Sequence, residues 1–212
     1  MEGLVFHPDG HHYTLDGAHV PGVTSALKVV SQADYFGVDP DVLARKAALG
    51  TAVHQVIELD CQNDLDVDSL DDVLLPYYRA WRSFLTASGF DVELSEGKVA
   101  SRRYRYAGQL DLFGRLNGIR ATIDAKCVVR VMPSTGPQTA AYTEALRECR
   151  PDLLPPGAPC RRYALQLRPF DADGKPRAQP WALHPFTQDA ADLRLFLACL
   201  TVTHHLERNM TR

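Results

Sequence analysis

Tyr106-Ala-Gly-Gln-Leu-Asp-Leu-Phe-Gly-Arg-Leu-Asn-Gly-Ile-Arg-Ala-Thr-Ile-Asp-Ala-Lys126 is the most informative stretch of this chain. Two runs of strand-type residues flank Asn117-Gly118, a pair that readily takes the positive-φ positions of a tight hairpin turn. The stretch therefore predicts two antiparallel strands. Asp111 falls on the first strand. Asp124 and Lys126 fall on the second, two apart, so their side chains leave the same face. Two carboxylates make a hard-oxygen site suited to Mg²⁺ or Mn²⁺. A lysine beside them can orient a water or steady charge building on a phosphate. The plainer alternative for the three residues is a surface ion-pair cluster.

Around this hairpin the sequence predicts helices. Asp39-Pro40 announces one from about Pro40 to Leu59, with proline in its first turn. His54 and Glu58 lie four apart on it and share a face. His54 is a candidate ligand, and Glu58 either supports it or belongs to a polar face. Ser69 to Ala87 reads as a second helix, ended by Ser88-Gly89. Strands are expected at about 91–100, 104–116 and 119–128. Ser134 to Arg150 reads as a helix that brings Gln138 and Tyr142 one turn apart. Further strands follow at 161–168 and 180–184, joined by a turn at 172–175, and a closing helix runs over 188–206. At the front, Leu4–His7 and His12–Leu15 form a small hairpin. A short helix follows, capped by Thr24 or Ser25. Helices against a central mixed β-sheet make an α/β fold.

Three segments together resemble the PD-(D/E)XK nuclease superfamily in its RecB-like, phage-type exonuclease branch. Asp111, Asp124 and Lys126 match its D-x12-D-x-K core. Gly50-Thr51-Ala52-Val53-His54-Gln55-Val56-Ile57-Glu58 is similar to its G-T-x-x-H-x-x-x-E helix, and Gln138-Thr139-Ala140-Ala141-Tyr142 to its Q-x-x-x-Y helix. The opening 13–24 is similar to the start of small phage exonucleases and of the mitochondrial genome maintenance exonuclease. The resemblance covers about residues 11–170. It implies a restriction-endonuclease-like core and one nuclease domain over 1–212. Residues 1–38 would be an N-terminal hairpin and short helix, 39–170 the core, and 171–212 a closing strand and helix.

The resemblance also implies roles. Asp111, Asp124 and Lys126 would be catalytic, and His54, Asp111, Asp124 and the Ala125 carbonyl would hold Mg²⁺ or Mn²⁺. Gln138, Tyr142, Arg102 and Arg103 would contact substrate, and Glu58 and Glu96 would support the site. For Glu96 the residues alone equally allow an exposed strand acid. The implied activity is metal-dependent DNA exonuclease action on linear ends, in recombination, repair or phage DNA processing, with a strand-annealing or recombination protein as a partner. A structure-specific endonuclease of the same fold and a catalytically silent DNA- or protein-binding scaffold stand as alternatives.

Composition bounds the rest. Apolar residues make up 45% of the 212, ordinary for a globular protein. No apolar run suffices for a membrane span, and none resembles a signal peptide. The five cysteines are odd in number and include no C-x-x-C, which predicts reduced thiols in a cytoplasmic protein and no iron–sulfur cluster. The net charge of −3 hides an asymmetry. Residues 1–97 hold 5 basic and 16 acidic side chains, and residues 98–177 hold 15 and 7. A basic face over 98–177 is thus expected to meet phosphates. Arg45-Lys46, Arg102-Arg103 with Arg105, and Arg161-Arg162 are candidate phosphate contacts. Tyr104 and Tyr106 could stack on bases or pack a sheet. The acid-rich run from Asp60 to Asp72 reads as a solvated loop. His7, His11, His12 and His19, like His204-His205, read as surface histidines. No Walker motif is present.

Overall fold

A computed structural model describes residues 2–10, 12–32, 37 and 39–210, the last with its backbone alone. Among them β1 (Leu4–His7), β2 (His12–Leu15) and β3 (Ala18–Val20) form a small antiparallel sheet. α1 (Val23–Ser31) and α2 (Pro40–Cys61) lead to α3 (Leu75–Ser88). Next come β4 (Asp91–Ser101), β5 (Tyr106–Leu116), β6 (Ile119–Lys126), α4 (Thr135–Cys149), β7 (Arg161–Leu167), β8 (Trp181–Phe186) and α5 (Asp189–Met210). The second sheet runs β4-β5-β6-β7-β8. It is mixed: β6 and β7 pair in parallel, and the other neighbours are antiparallel. The fold is α/β, a central mixed five-stranded sheet flanked by helices. The parallel pair needs a crossover, which α4 provides.

Local chemistry explains most boundaries. The β5–β6 turn is Asn117-Gly118 with φ of 52° and 77°, both left-handed as the tight turn demands. Asp39 caps α2 by accepting from the Asp41 backbone N–H at 2.7 Å. Gly89 ends α3 with φ of 61°. Three boundaries differ from the sequence reading. β3 adds a strand at Ala18–Val20, to which the sequence reading assigned no element. α1 is capped by Gly22, and neither Thr24 nor Ser25 makes a side-chain cap bond. α3 begins at Leu75 rather than near Ser69. Pro76, which has no N–H to donate, occupies the first turn, and a 3₁₀ turn at Val67–Ser69 takes up the residues before it.

The sheet has an apolar layer on each face. On one, Val99, Tyr106, Leu110 and Phe113 pack against α1, α4 and α5 through Leu27, Leu146, Phe196 and Leu200. On the other, Leu112, Ile123, Ala125 and Leu165 pack against α2 and α3 through Val53, Ile57, Trp81 and Phe84. Burying each such large side chain is worth about 1.5–3 kcal/mol. Tyr106 is wholly buried, edge-on to Phe196, and donates its hydroxyl to Ala141 O at 2.8 Å, so it is a packing residue and not a stacking platform. Asp60, expected in a solvated loop, lies on α2 and joins it to α3. It accepts from Trp81 Nε1 at 2.8 Å and pairs with Arg82 at 3.0 Å. No helix among the described residues is long and apolar enough to cross a membrane.

Candidate active site

The β5–β6 ladder runs from Leu116↔Ile119 to Leu112↔Ile123 and stops there. Beyond it, β5 continues on β4 alone and β6 on β7 alone. The sheet therefore splits at the level of Asp111 and Asp124. The Asp111 carboxylate takes the place of the missing ladder bond: Oδ2 accepts from the Ala125 N–H at 2.7 Å. The next antiparallel position on the other side of β5 is also disturbed. Ser95 pairs with Leu112 and Gly97 with Leu110, but Glu96 between them has φ of 47°. A side chain in that left-handed region costs about 1–3 kcal/mol, a strain that clusters at functional sites.

Around this distortion five chain segments, α2, β4, β5, β6 and α4, come together. His54, on α2, has Nδ1 3.0 Å from Glu96 Oε1 and 3.7 Å from Asp111 Oδ1. Its Nε2 lies 3.1 Å from Ala125 O. Gln109 donates to the other Glu96 oxygen at 2.7 Å. Lys126 Nζ stands 2.7 Å from Asp124 Oδ2 and 3.4 Å from Gln138 Oε1, and Gln138 Nε2 is 3.5 Å from the Tyr142 hydroxyl. Tyr142 lies over Gly108, where an added Cβ would come within 2.7 Å of its ring. These residues face or border a cleft of about 880 Å³ between α1 and α2.

The electrostatics are those of a crowded acidic centre. The Asp111 carboxylate drives the His54 imidazolium up to about 9, against the opposing effect of burial. With both ring nitrogens turned to oxygen acceptors, His54 stands here as a cation among acids. Burial lifts Asp124 to about 6, opposed by Lys126 and reinforced by Asp111. Burial also raises Asp111, opposed by His54 and Lys126. Three buried side-chain atoms among the described residues accept or donate no well-directed hydrogen bond, and two are the Asp124 carboxylate oxygens. For the third, Arg168 Nε, nothing in the structure offers a reason.

Such a centre suits a divalent ion. His54, Glu96 and Asp111 each offer one donor atom, all within 4.8 Å of one another, the one such group among the described residues. Two carboxylates and an imidazole, with an unsatisfied Asp124 oxygen nearby, are the donor chemistry of Mg²⁺ or Mn²⁺. The N-terminal histidines form no such group: His7 stacks on His12 at 4.5 Å, and His11 lies outside the described residues.

No family model and no curated protein matches this chain. Among solved structures it is similar to an alkaline exonuclease (LHK-Exo) from Laribacter hongkongensis. That likeness has 15% identity over 63% of this chain and 69% of that one, with a TM-score of 0.34. So distant a likeness lends the site no support, and its meaning rests on its own geometry.

The structure gathers His54, Glu96, Asp111, Asp124, Ala125, Lys126, Gln138 and Tyr142, with Glu96 beside His54. Glu96 is no exposed strand acid, since its side chain is 11% exposed. The residues alone left it open, because its placement depends on a backbone twist, and only the resemblance named it. Four other expectations change. Glu58 is bonded to Gln62 at 3.2 Å and leaves the orientation of His54 to Glu96. Arg102 pairs with Asp16 at 2.9 Å, and neither it nor Arg103 lines the cleft. Arg162 is buried and pairs with Asp189 and Asp192. Many arginines of the basic 98–177 segment pair with Asp16, Glu93, Asp152 or backbone carbonyls, and none of them lines the cleft. Besides His54, the basic residues that line the cleft are Lys46 and Lys126.

Proposed function

We propose that this chain is a single-domain, metal-dependent deoxyribonuclease that acts as an exonuclease. The observation that carries the reading is the split between β5 and β6. It sets Asp111 and Asp124 on its two sides, with Lys126, His54 and Glu96 turned into one cleft. Phosphodiester hydrolysis needs negative charge stabilised where it develops and a water delivered in line. Asp111, Glu96 and His54, with Asp124 and Ala125 O close by, would hold Mg²⁺ or Mn²⁺. Bound there, the ion would polarise the scissile phosphate and acidify water.

The chain's own groups do the rest. Lys126, pinned between Asp124 and Gln138, offers its ammonium to the developing charge and orients the attacking water. Gln138 and Tyr142 lie one helical turn apart and fix the phosphate side of the cleft. Asp111, tied to the Ala125 N–H, keeps its second oxygen pointed toward His54. The exonuclease form, a role in recombination, repair or phage DNA processing, and a strand-annealing partner come from the resemblance of the three motifs. A cytoplasmic setting belongs to the same reading and is supported by an odd number of cysteines with no C-x-x-C.

End-labelled linear DNA and a closed circle, each with Mg²⁺ or Mn²⁺, test the reading against Lys126→Ala. Ion-dependent loss of the linear form, absent in the variant and sparing the circle, is the expected result. Cutting of the circle would replace the exonuclease with an endonuclease of the same fold. Binding without cleavage in either ion would leave a scaffold.

A further inference from the structure

α2 is unevenly anchored. Its buried residues, Val53, Val56 and Ile57, all lie in the second half. From Pro40 to Ala48 every residue is exposed except half-buried Leu43. An amphipathic surface helix normally buries a stripe along its whole length. The first half of α2 buries none, yet it forms one wall of the cleft.

The residues it presents there follow helical spacing. Leu43, Lys46, Ala47, Gly50, Thr51 and His54 all line the cleft, at steps of three and four. Lys46, Gly50 and His54 thus stand in a row, each four residues from the next. At 1.5 Å per residue the row from Lys46 to His54 spans about 12 Å. Stacked nucleotides rise about 3.4 Å each along a strand, so the row passes about three of them, fewer if the strand is stretched. The Lys46 side chain is exposed and, among the described residues, makes no hydrogen bond or salt bridge, though its charge is felt at Cys127. At Gly50 an added Cβ would meet nothing within 4 Å, so the middle of the row is open space and not packing against the body.

We propose that this face of α2 is the track on which a single nucleic-acid strand reaches the acidic cluster, with Lys46 holding a backbone phosphate about three nucleotides from the one that is cut. The proposal rests on the nuclease reading and adds the substrate's form. A duplex presents two outer rows of phosphate, and proteins that grip it do so with many cations. This cleft has Lys46 and Lys126, and beside them Leu43, Ala47 and backbone at Gly22, Gly50 and Gly108. Leu43 and Ala47 give an unpaired base apolar wall to lie against, beside the one lysine that meets its backbone. Its volume, about 880 Å³, lies within the roughly 300–1,000 Å³ of clefts that enclose a small ligand, room for a few nucleotides.

Lys46→Glu and Gly50→Gln test the track. Gly50 has an ordinary helical backbone with free space around it, so the glutamine folds in and projects into the path. Each variant is compared with wild type on a single-stranded 12-mer and on a dinucleotide too short to reach Lys46. The expected result is a fall of about tenfold in kcat/KM on the 12-mer, set against each variant's own dinucleotide rate. Binding is read separately, with a fluorescent 12-mer, Mg²⁺ and a Lys126→Ala background. There Lys46→Ala should reduce the slope of log affinity against log salt by about 0.7, the loss of one single-strand phosphate contact. Equal loss on both substrates, or an unchanged salt slope, would overturn the track. A blunt duplex that binds as tightly as the 12-mer would overturn its single-strand form. Wild type that cuts nothing but binds with the Lys46-dependent slope would sink the nuclease reading and leave the track standing.

Discussion

Among the described residues, the buried ionic clusters around Arg162 and Asp124 are finished to different degrees. Around Arg162, 2% exposed, every donor finds a partner. Nε donates to Asp189 at 2.7 Å, Nη1 to Gly136 O at 2.7 Å and Thr139 Oγ1 at 3.1 Å, and Nη2 to Asp192 at 2.7 Å. That cluster ties β7 and α5 to the first turn of α4. Around Asp124, 1% exposed, the carboxylate accepts no directed hydrogen bond, and Lys126 meets one oxygen as an ion pair. Burying an unsatisfied charge is costly, and a fold kept for stability alone would remove it. The first cluster is therefore read as structure and the second as a site for something the chain does not itself supply.

The sharpest way to break that contrast is Lys126→Ala. It should lower DNA cleavage by about 10³-fold, the scale of removing a group that stabilises transition-state charge. Its thermal midpoint should fall less than that of an Arg162 variant, because Lys126 is 24% exposed and Asp124, already lifted to about 6, can take up a proton when its partner is lost. A midpoint collapse as large as that of an Arg162 variant would erase the distinction between the clusters. Arg162→Met should do the reverse. Removing one member of a buried ion pair costs about 3–5 kcal/mol, and the low end applies because Asp189 is 69% exposed. Urea unfolding measures that loss. Activity per folded molecule should fall less than stability does, since Arg162 reaches the site only by holding α4.

A divalent ion should separate the clusters a third way. Saturating wild type with Mn²⁺ or Mg²⁺ at 100 times its Kd should add about 2.7 kcal/mol of stability. Asp124→Asn should lose most of that gain, and Arg162→Met should keep it on a lower baseline. A gain of equal size in Asp124→Asn would remove Asp124 from the ion's surroundings.

How legible this was in sequence depended on the distance over which each feature is made. The β5–β6 hairpin is set by Asn117-Gly118, the start of α2 by Asp39-Pro40 and the end of α3 by Gly89, all local chemistry, and all were readable. The partners of His54 were not equally so. Glu96 is 42 residues away and Ala125 is 71 away, and they meet only because β4 twists at Glu96 and β5 parts from β6. The D-x12-D-x-K spacing pointed to Asp111, Asp124 and Lys126 without that knowledge. Arginines misled for the converse reason. Nothing local distinguishes an exposed Arg161 from a buried Arg162, because Arg162 is claimed by α5, 27 residues on. The count of basic residues over 98–177 was right, but where each side chain lies, as for Arg162, is decided by partners far along the chain.

The smallest effect is a pH dependence of the ion-free protein. His54 sits at about 9 here against an ordinary 6.5, so the folded state holds its proton more tightly than the unfolded chain does. The stability this contributes is complete below about pH 6.5 and is lost as pH rises through 9. The change is spread over several pH units and blunted by the 27% exposure of His54, which lets water screen the charges around it. In EDTA the urea midpoint should therefore decline from pH 6.5 to 9 in wild type and stay flatter in His54→Gln. Arg162→Met should lower the whole curve while keeping its slope. An ion placed in the cluster takes over the role of the proton. Mg²⁺ should flatten the wild-type decline, and ion affinity should rise with pH as His54 gives up its proton. A decline of the same slope with and without the ion would mean that His54 and the ion do not share a site.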